Sequence, residues 1–188
     1  MEKIRSRDTK AVILPVVALV IFLSMFPPKF LSPEALAFIN DSKAGPIYAE
    51  HKEYKKAETA YLAALKLRPG DTNTLYNLAT AYLNAKEYEK AKEYFLKAIK
   101  ICQFNVDASF NLGYAYEQTN DTPKAIGSYQ EVLRYEPDSL DARFRIANVY
   151  QKAGQCAKAQ PYYEEITRKK PALADEIKKI FSRCKNTP

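Results

Sequence analysis

Tryptophan is absent, histidine occurs once, and glycine occurs only five times in 188 residues. Each shortage excludes a class of chemistry. A lone His51 leaves no second imidazole for a metal centre and no base for a nucleophile–base–orienter set. It also sits in a charged stretch, His51-Lys52-Glu53-Tyr54-Lys55-Lys56, where it reads as solvated. Five scattered glycines make no phosphate-cradling loop. The three cysteines, Cys102, Cys156 and Cys184, form no Cys-x-x-Cys pair, and none stands at zinc-ligand spacing from His51. Acidic neighbours such as Glu164-Glu165 diverge on a helix rather than converge. No basic-aromatic pattern of a nucleic-acid module occurs. The expectation is a protein with no catalytic residues, no metal, no other cofactor and no nucleic-acid partner.

What is present is order over long range. Ala57, Ala91, Ala125 and Ala159 recur every 34 residues. Four residues after each comes an aromatic: Tyr61, Phe95, Tyr129, Tyr163. Nine before each comes Tyr48, Tyr82, Tyr116 or Tyr150. The pairs Ala44-Gly45, Leu78-Ala79, Leu112-Gly113 and Ile146-Ala147 keep the same register, and Pro69, Gln103, Pro137 and Pro171 close the copies. A period of this length, with apolar residues three and four apart, indicates a helix–turn–helix unit. The small residues let two helices approach closely, and proline stops the second helix by lacking an N–H. One such unit cannot bury its apolar stripe alone, whereas a stack can. The fold class is therefore all-α, a solenoid of about four units.

The pattern predicts helices over Tyr54–Leu67, Thr72–Ala85, Tyr88–Ile101, Val106–Thr119, Thr122–Tyr135, Leu140–Ala153 and Cys156–Arg168. Thr122-Pro123 reads as a cap followed by proline in the first turn. Pro46 is expected to break or delay the first helix of unit one, and Pro161 to bend the second helix of unit four. After Pro171, Ile177, Ile180 and Cys184 continue the apolar register of a first helix, opposite Asp175, Glu176, Lys178, Lys179 and Arg183. That describes a capping helix with a polar outer face.

From about Phe38 to Leu173 this pattern resembles the tetratricopeptide repeat family. The resemblance implies a right-handed superhelix whose first helices line a concave groove for peptides or protein surfaces. The chain departs from the family at Asp41, Leu75, Ser109 and Arg143, where a tryptophan often stands, and at Gln103 in place of proline. The implied groove columns begin in unit one at Ser42, Lys43, Pro46 and Glu50. Their candidate partner-binding residues are Tyr76, Asn77, Thr80 and Asn84, then Phe110, Asn111, Tyr114 and Gln118, then Phe144, Arg145, Asn148 and Lys152. Amides such as Asn77 and Asn111 pair with a peptide's N–H and C=O at once. The aromatics either anchor apolar side chains or pack between units. Some family members clamp a terminal carboxylate. Asn111 and Arg145 fit such a clamp, but Tyr76, Thr80 and Asp141 do not, and a cytosolic chaperone partner is rejected.

Charge gathers at the two ends. The net charge is +7, with five Lys/Arg against two acids in residues 1–30 and 11 against five in residues 140–188. Residues 1–10 carry Lys3, Arg5, Arg7 and Lys10 and are expected to be a cytoplasmic basic N-terminus. Residues 11–31 are expected to be a transmembrane segment, or signal anchor, in a lipid bilayer. Their uncharged core, Ala11–Phe26, reaches about 24 Å as a helix, and Phe30 and Leu31 extend it if Lys29 snorkels. A cleaved signal peptide is the alternative, with Ala35-Leu36-Ala37 as the small-x-small site. A connector follows at 32–41, the four-unit repeat domain at 42–171, and the capping helix and tail at 172–188. The repeat domain then lies outside the cytoplasm, periplasmic in a bacterium. Cys156 and Cys184 fall near each other across the cap, either as a disulfide or as two small buried residues. The expected function is a membrane-tethered, protein-binding scaffold or assembly subunit, not an enzyme. The alternatives are an assembly factor presenting polypeptides, as in cytochrome c maturation or pilus biogenesis, or a fixed structural subunit of a membrane complex.

Overall fold

The computed structural model describes residues 33–182. Among them are nine α-helices, one 3-10 turn and no strand. Helix α1 spans Pro33–Glu50, α2 Tyr54–Leu67, α3 Thr72–Asn84 and α4 Tyr88–Ile101. Helix α5 spans Val106–Gln118, α6 Thr122–Tyr135, α7 Leu140–Lys152 and α8 Cys156–Lys169. A 3-10 turn at Pro171–Leu173 leads into α9, Ala174–Ser182. Helices α1, α3, α5 and α7 are the first helices of four units, and α2, α4, α6 and α8 are the second.

The 34-residue period extends to the backbone. Lys52, Lys86, Asn120 and Gly154 occupy the turn inside each unit, all with positive φ: 60°, 61°, 58° and 71°. The next N–H closes back on a tyrosine carbonyl: Glu53 on Tyr48 (2.8 Å), Glu87 on Tyr82 (2.9 Å), Asp121 on Tyr116 (3.0 Å), Gln155 on Tyr150 (2.9 Å). This Schellman closure satisfies carbonyls at the helix end. Only Gly154 adopts it freely. The two lysines hold it against roughly 1–2 kcal/mol each, because the helices on either side are fixed by packing. Entry to the first helices is equally regular. Asp71, Asn105 and Ser139 accept hydrogen bonds from the N–H groups of Thr74 (2.8 Å), Ala108 (2.9 Å) and Ala142 (3.4 Å).

The ladder alanines are all fully buried, and so are the rings that follow them. The close approach is tight at Gly113 on α5, where a Cβ would stand 2.8 Å from Cε1 of Tyr129 on α6. That ring cannot yield, since Phe110 packs against it and Glu117 holds its hydroxyl. A lysine column overlooked in the sequence completes the register. Lys56, Lys90, Lys124 and Lys158 stand over the rings of Tyr48, Tyr82, Tyr116 and Tyr150 at 5.0–5.8 Å. Between the first two units, Glu58 accepts the Tyr82 hydroxyl at 2.7 Å. That bond, ahead of Lys55 and Lys90, holds its carboxyl below the usual range.

Several expectations need correction. Helix α1 is neither broken nor delayed by Pro46; it starts early and absorbs the expected connector from Pro33 onward. Pro46 lies on the exposed side, while Phe38 is buried with the Arg68 guanidinium 4.2 Å above its ring, so packing on the inner side carries the helix through. Helix α8 likewise runs unbroken through the exposed Pro161, held by Ala159, Tyr163 and Ile166 beneath it. The cap of α6 is Asp121, not Thr122, because the aspartate carboxylate reaches the Lys124 N–H at 3.3 Å. The cap helix α9 buries Ile177 and sets Phe181 edge-on to Tyr163 at 5.7 Å. Residues 1–32, with the expected basic N-terminus and membrane segment, lie outside the described residues, as does Cys184. Among the described residues no helix is long and apolar enough to cross a membrane. Cys156 is disulfide-bonded, and Cys102 is a half-buried free thiol.

Two glycine substitutions separate close approach from helix propensity. Gly127 on α6 is exposed, and a Cβ added there would meet nothing within 4 Å, whereas Gly113 faces the Tyr129 ring. Gly127→Ala is expected to raise stability by roughly 0.5–1 kcal/mol, and Gly113→Ala to lower it by about 1–3 kcal/mol. Urea unfolding checks both; a neutral Gly113→Ala would show that the ring can retreat.

Candidate functional site

Successive first helices touch, α1 with α3 and α3 with α5, while successive second helices approach less closely. A stack built so bends with its first helices inside. The inner face is therefore where the sequence placed its candidates, and their side chains divide into three kinds.

The aromatic column is committed to packing within each unit. Tyr76 meets Phe95 at 5.9 Å, Phe110 meets Tyr129 at 5.3 Å, and Phe144 meets Tyr163 at 6.4 Å, all tilted or edge-on. Each is half-buried, so one side of the ring remains at the face. The second kind is tied to its own chain by hydrogen bonds. Asn111 Nδ2 donates to the Tyr76 hydroxyl at 3.1 Å, joining units two and three. Thr80 donates to the Tyr76 carbonyl at 2.9 Å, and Asn148 Oδ1 accepts the Tyr163 hydroxyl at 2.7 Å. The third kind is uncommitted. Asn77, half-buried, and Asn84 and Gln118, exposed, have side-chain amides with no partner among the described residues. Asn77 and Asn111 share a column in the sequence and differ in state, because only Asn111 has a hydroxyl within reach.

The charged end of the face is organised by a residue that sequence reasoning missed. Glu117 on α5 has a side chain only 5% exposed. It accepts the Tyr129 hydroxyl at 3.2 Å and pairs with Lys152 at 2.6 Å and Arg145 at 3.7 Å, both on α7. The Arg145 guanidinium also lies 5.1 Å from the centre of the Tyr114 ring. Burial first, then the Glu117 charge, pushes the Tyr129 phenol far above its ordinary range, so it remains a hydrogen-bond donor. Arg145 and Lys152 are two cations around one carboxylate, and the exposed Asp141, one turn before Arg145 on α7, offsets their surplus. A signal for Glu117 existed in the repeat columns. Tyr129 stands with Glu117 and Tyr163 with Gln151, which accepts its hydroxyl at 2.8 Å. Phe95, with no hydroxyl, stands with Leu83. In units two to four the polar residue accompanies the buried phenol, whereas in unit one the buried Tyr61 stands with Ala49.

Two family models described as tetratricopeptide repeat match residues 70–135 and 118–179, together covering more than half of the chain. The chain belongs to the tetratricopeptide repeat family. A comparison with curated proteins finds no significant match. Among solved structures, a crystal structure of MamA is 22% identical, covers 79% of this chain and 90% of its own, and superposes with a TM-score of 0.69. YrrB, a TPR protein with an unusual peptide-binding site, is 21% identical, with 72% and 70% covered and a TM-score of 0.63. The first TPR of Spaghetti (RPAP3), bound to an HSP90 peptide, is 20% identical, with 63% and 94% covered and a TM-score of 0.60. At these identities the likenesses establish the fold alone.

Within this tetratricopeptide repeat stack, committed and uncommitted residues respond differently to substitution. Asn111→Ala removes a bond between units and is expected to lower stability by about 1 kcal/mol, while Asn77→Ala stays within about 0.5 kcal/mol. Glu117→Leu strands the Tyr129 hydroxyl and is expected to lower stability by roughly 1–3 kcal/mol. In a Tyr129→Phe background, which recreates the Leu83–Phe95 combination, the loss is expected to shrink. Thermal unfolding of the four proteins closes the cycle; an unchanged loss would place the role of Glu117 with its cations instead.

Proposed function

We propose that this chain is a membrane-tethered scaffold or assembly subunit that binds a protein or peptide segment along its first-helix face, without catalysis. The observation that carries the reading is the set of uncommitted amides, Asn77, Asn84 and Gln118, beside half-buried rings. An amide side chain pairs with both the N–H and the C=O of a passing backbone, which gives affinity tolerant of sequence. The exposed side of Tyr76 or Phe110 supplies an apolar rest for side chains. The peptide-binding site of YrrB and the peptide bound to Spaghetti support this use of the fold.

The tether reading rests on residues 11–31 and the four cations before them, which favour a cytoplasmic N-terminus and an extracytoplasmic repeat domain. The disulfide at Cys156 supports an oxidising compartment. Its expected partner is Cys184.

A photo-crosslinking residue at Asn77, in the full-length chain in its own membranes, is expected to give a discrete polypeptide adduct. The same residue at Leu96, 47% exposed on α4, is expected to give none. Adducts at position 96 alone, or at neither, would sink the reading. A single adduct at fixed stoichiometry favours the permanent subunit, and several at low yield favour the assembly factor. Thiol counting on the denatured, unreduced chain is expected to find Cys102 alone reactive; reactivity at all three cysteines removes the support for an oxidising compartment.

A further inference from the structure

An apolar row runs along one edge of the stack. Three contacts define that edge. Arg68 at the end of α2 lies over Phe38 near the start of α1. Phe104, in the α4–α5 loop, meets the ring of Tyr135 at the end of α6 at 5.3 Å. Asp138, in the α6–α7 loop, pairs with Lys169 at the end of α8. The loops between units, the ends of the second helices and the start of α1 therefore share one side.

Of the six exposed large apolar side chains among the described residues, four lie on this edge: Leu36, Leu67, Ile101 and Phe104. Phe104 is 72% exposed and Ile101 53%. Folding does not require an aromatic in this loop, since the equivalent positions hold Gly70, Asp138 and Ala172. Around the row, Lys66, Lys100, Arg134 and Arg168 stand in the last turns of the four second helices. They complement the negative helix ends, and they also put a line of cations beside the apolar side chains. The edge carries acids too: Asp71 is spent capping α3, Asp138 is paired with Lys169, and Glu131 and Glu165 pair with Arg134 and Arg168. Glu136 is exposed at the end of α6, so among the described residues Lys66 and Lys100 are the cations of the row without an ion pair.

What covers this edge follows from where the rest of the chain enters. Helix α1 begins on it at Pro33, and only residues 27–32 separate that point from the uncharged run ending at Phe26. Six residues span at most about 20 Å. With the run in a bilayer, the edge is held within that distance of the headgroups, and the opposite edge stands a further helix length away, about 21 Å. A lipid surface is then present at high effective concentration.

We propose that this edge is a membrane-facing surface, with Phe104 and Ile101 set into the headgroup–acyl boundary and the helix-end cations among the phosphates of anionic lipids. The inference rests on the tether reading above. The helix axes end on this edge, so the first-helix face stands beside the membrane rather than against it and stays open to a partner.

The absence of tryptophan makes the test clean. The full-length chain carrying Phe104→Trp is reconstituted into vesicles of phosphatidylcholine with phosphatidylglycerol, with brominated acyl chains as quenchers. A second protein carries Glu89→Trp, on an exposed residue in the first turn of α4, at the far end of that helix from Ile101. Expected are flotation of both proteins with the vesicles, loss of most emission from position 104, and unquenched emission from position 89. Quenching at 104 is expected to weaken in pure phosphatidylcholine or high salt. Flotation with neither position quenched overturns the proposal and leaves the tether intact. Quenching at both positions overturns the assignment to one edge. Failure to float after a carbonate wash removes the tether reading and the proposal with it. Blue-shifted emission from position 104 without vesicles, rising with protein concentration, means that a second copy covers the edge, which also overturns it.

Discussion

The rest of this molecule depends on one contact, a small residue on a first helix beneath an aromatic ring on the second. It recurs in every unit, and at Gly113 under Tyr129 there is no room for even a methyl group. Because the ring fills the gap that the small residue leaves, the two helices lock at one separation. Each unit then meets the next at a fixed offset, and the buried alanines repeat without a break. Packing of this density is strong enough to run α1 through Pro46 and α8 through Pro161, and to hold Lys52 and Lys86 in a left-handed turn.

The same rings decide the chemistry of the inner face. In units three and four the buried phenol places its hydroxyl on an acceptor that comes from the first helix beside it, while Tyr61 of unit one stands beside Ala49. Tyr129 therefore brings in Glu117, and Glu117 draws Arg145 and Lys152 across from the next unit. Tyr163 brings in Gln151 and Asn148 instead. Phe95 asks for nothing, and near it the amides of Asn77 and Asn84 remain uncommitted. The face is thus graded along the stack, from neutral and available in unit two to charged and, Gln118 apart, self-engaged in units three and four. Uncommitted amides suit a backbone partner, while at the charged end Glu117 and Asp141 balance Arg145 and Lys152.

The two long sides of the stack have different duties. The inner face presents polar groups that the fold leaves unspent. The edge formed by the loops between units exposes Ile101 and most of Phe104, whose ring meets Tyr135 edge-on. The register makes no demand for an aromatic at Phe104, where the other units hold Gly70, Asp138 and Ala172, whereas Ile101 follows a column shared with Leu67 and Tyr135.

Much of this was legible before any coordinates. The alanine ladder, the tyrosines and the proline stops determined the units and nearly all helix ends, because local stripes of apolar residues allow only one stacked solution. The candidate face followed from the register and the family resemblance. What the sequence could not decide was the state of each residue on that face. Asn77 and Asn111 are identical in column, yet only Asn111 has the Tyr76 hydroxyl at 3.1 Å. Glu117 reads as one more surface carboxylate until Tyr129, twelve residues on, is folded back beneath it. Burial and hydrogen bonding depend on neighbours 12 to 35 residues away, at distances set by helix packing, and a one-dimensional pattern carries no such distances. Sequence determined which residues share a face; only tertiary structure decided which of them were left free to bind.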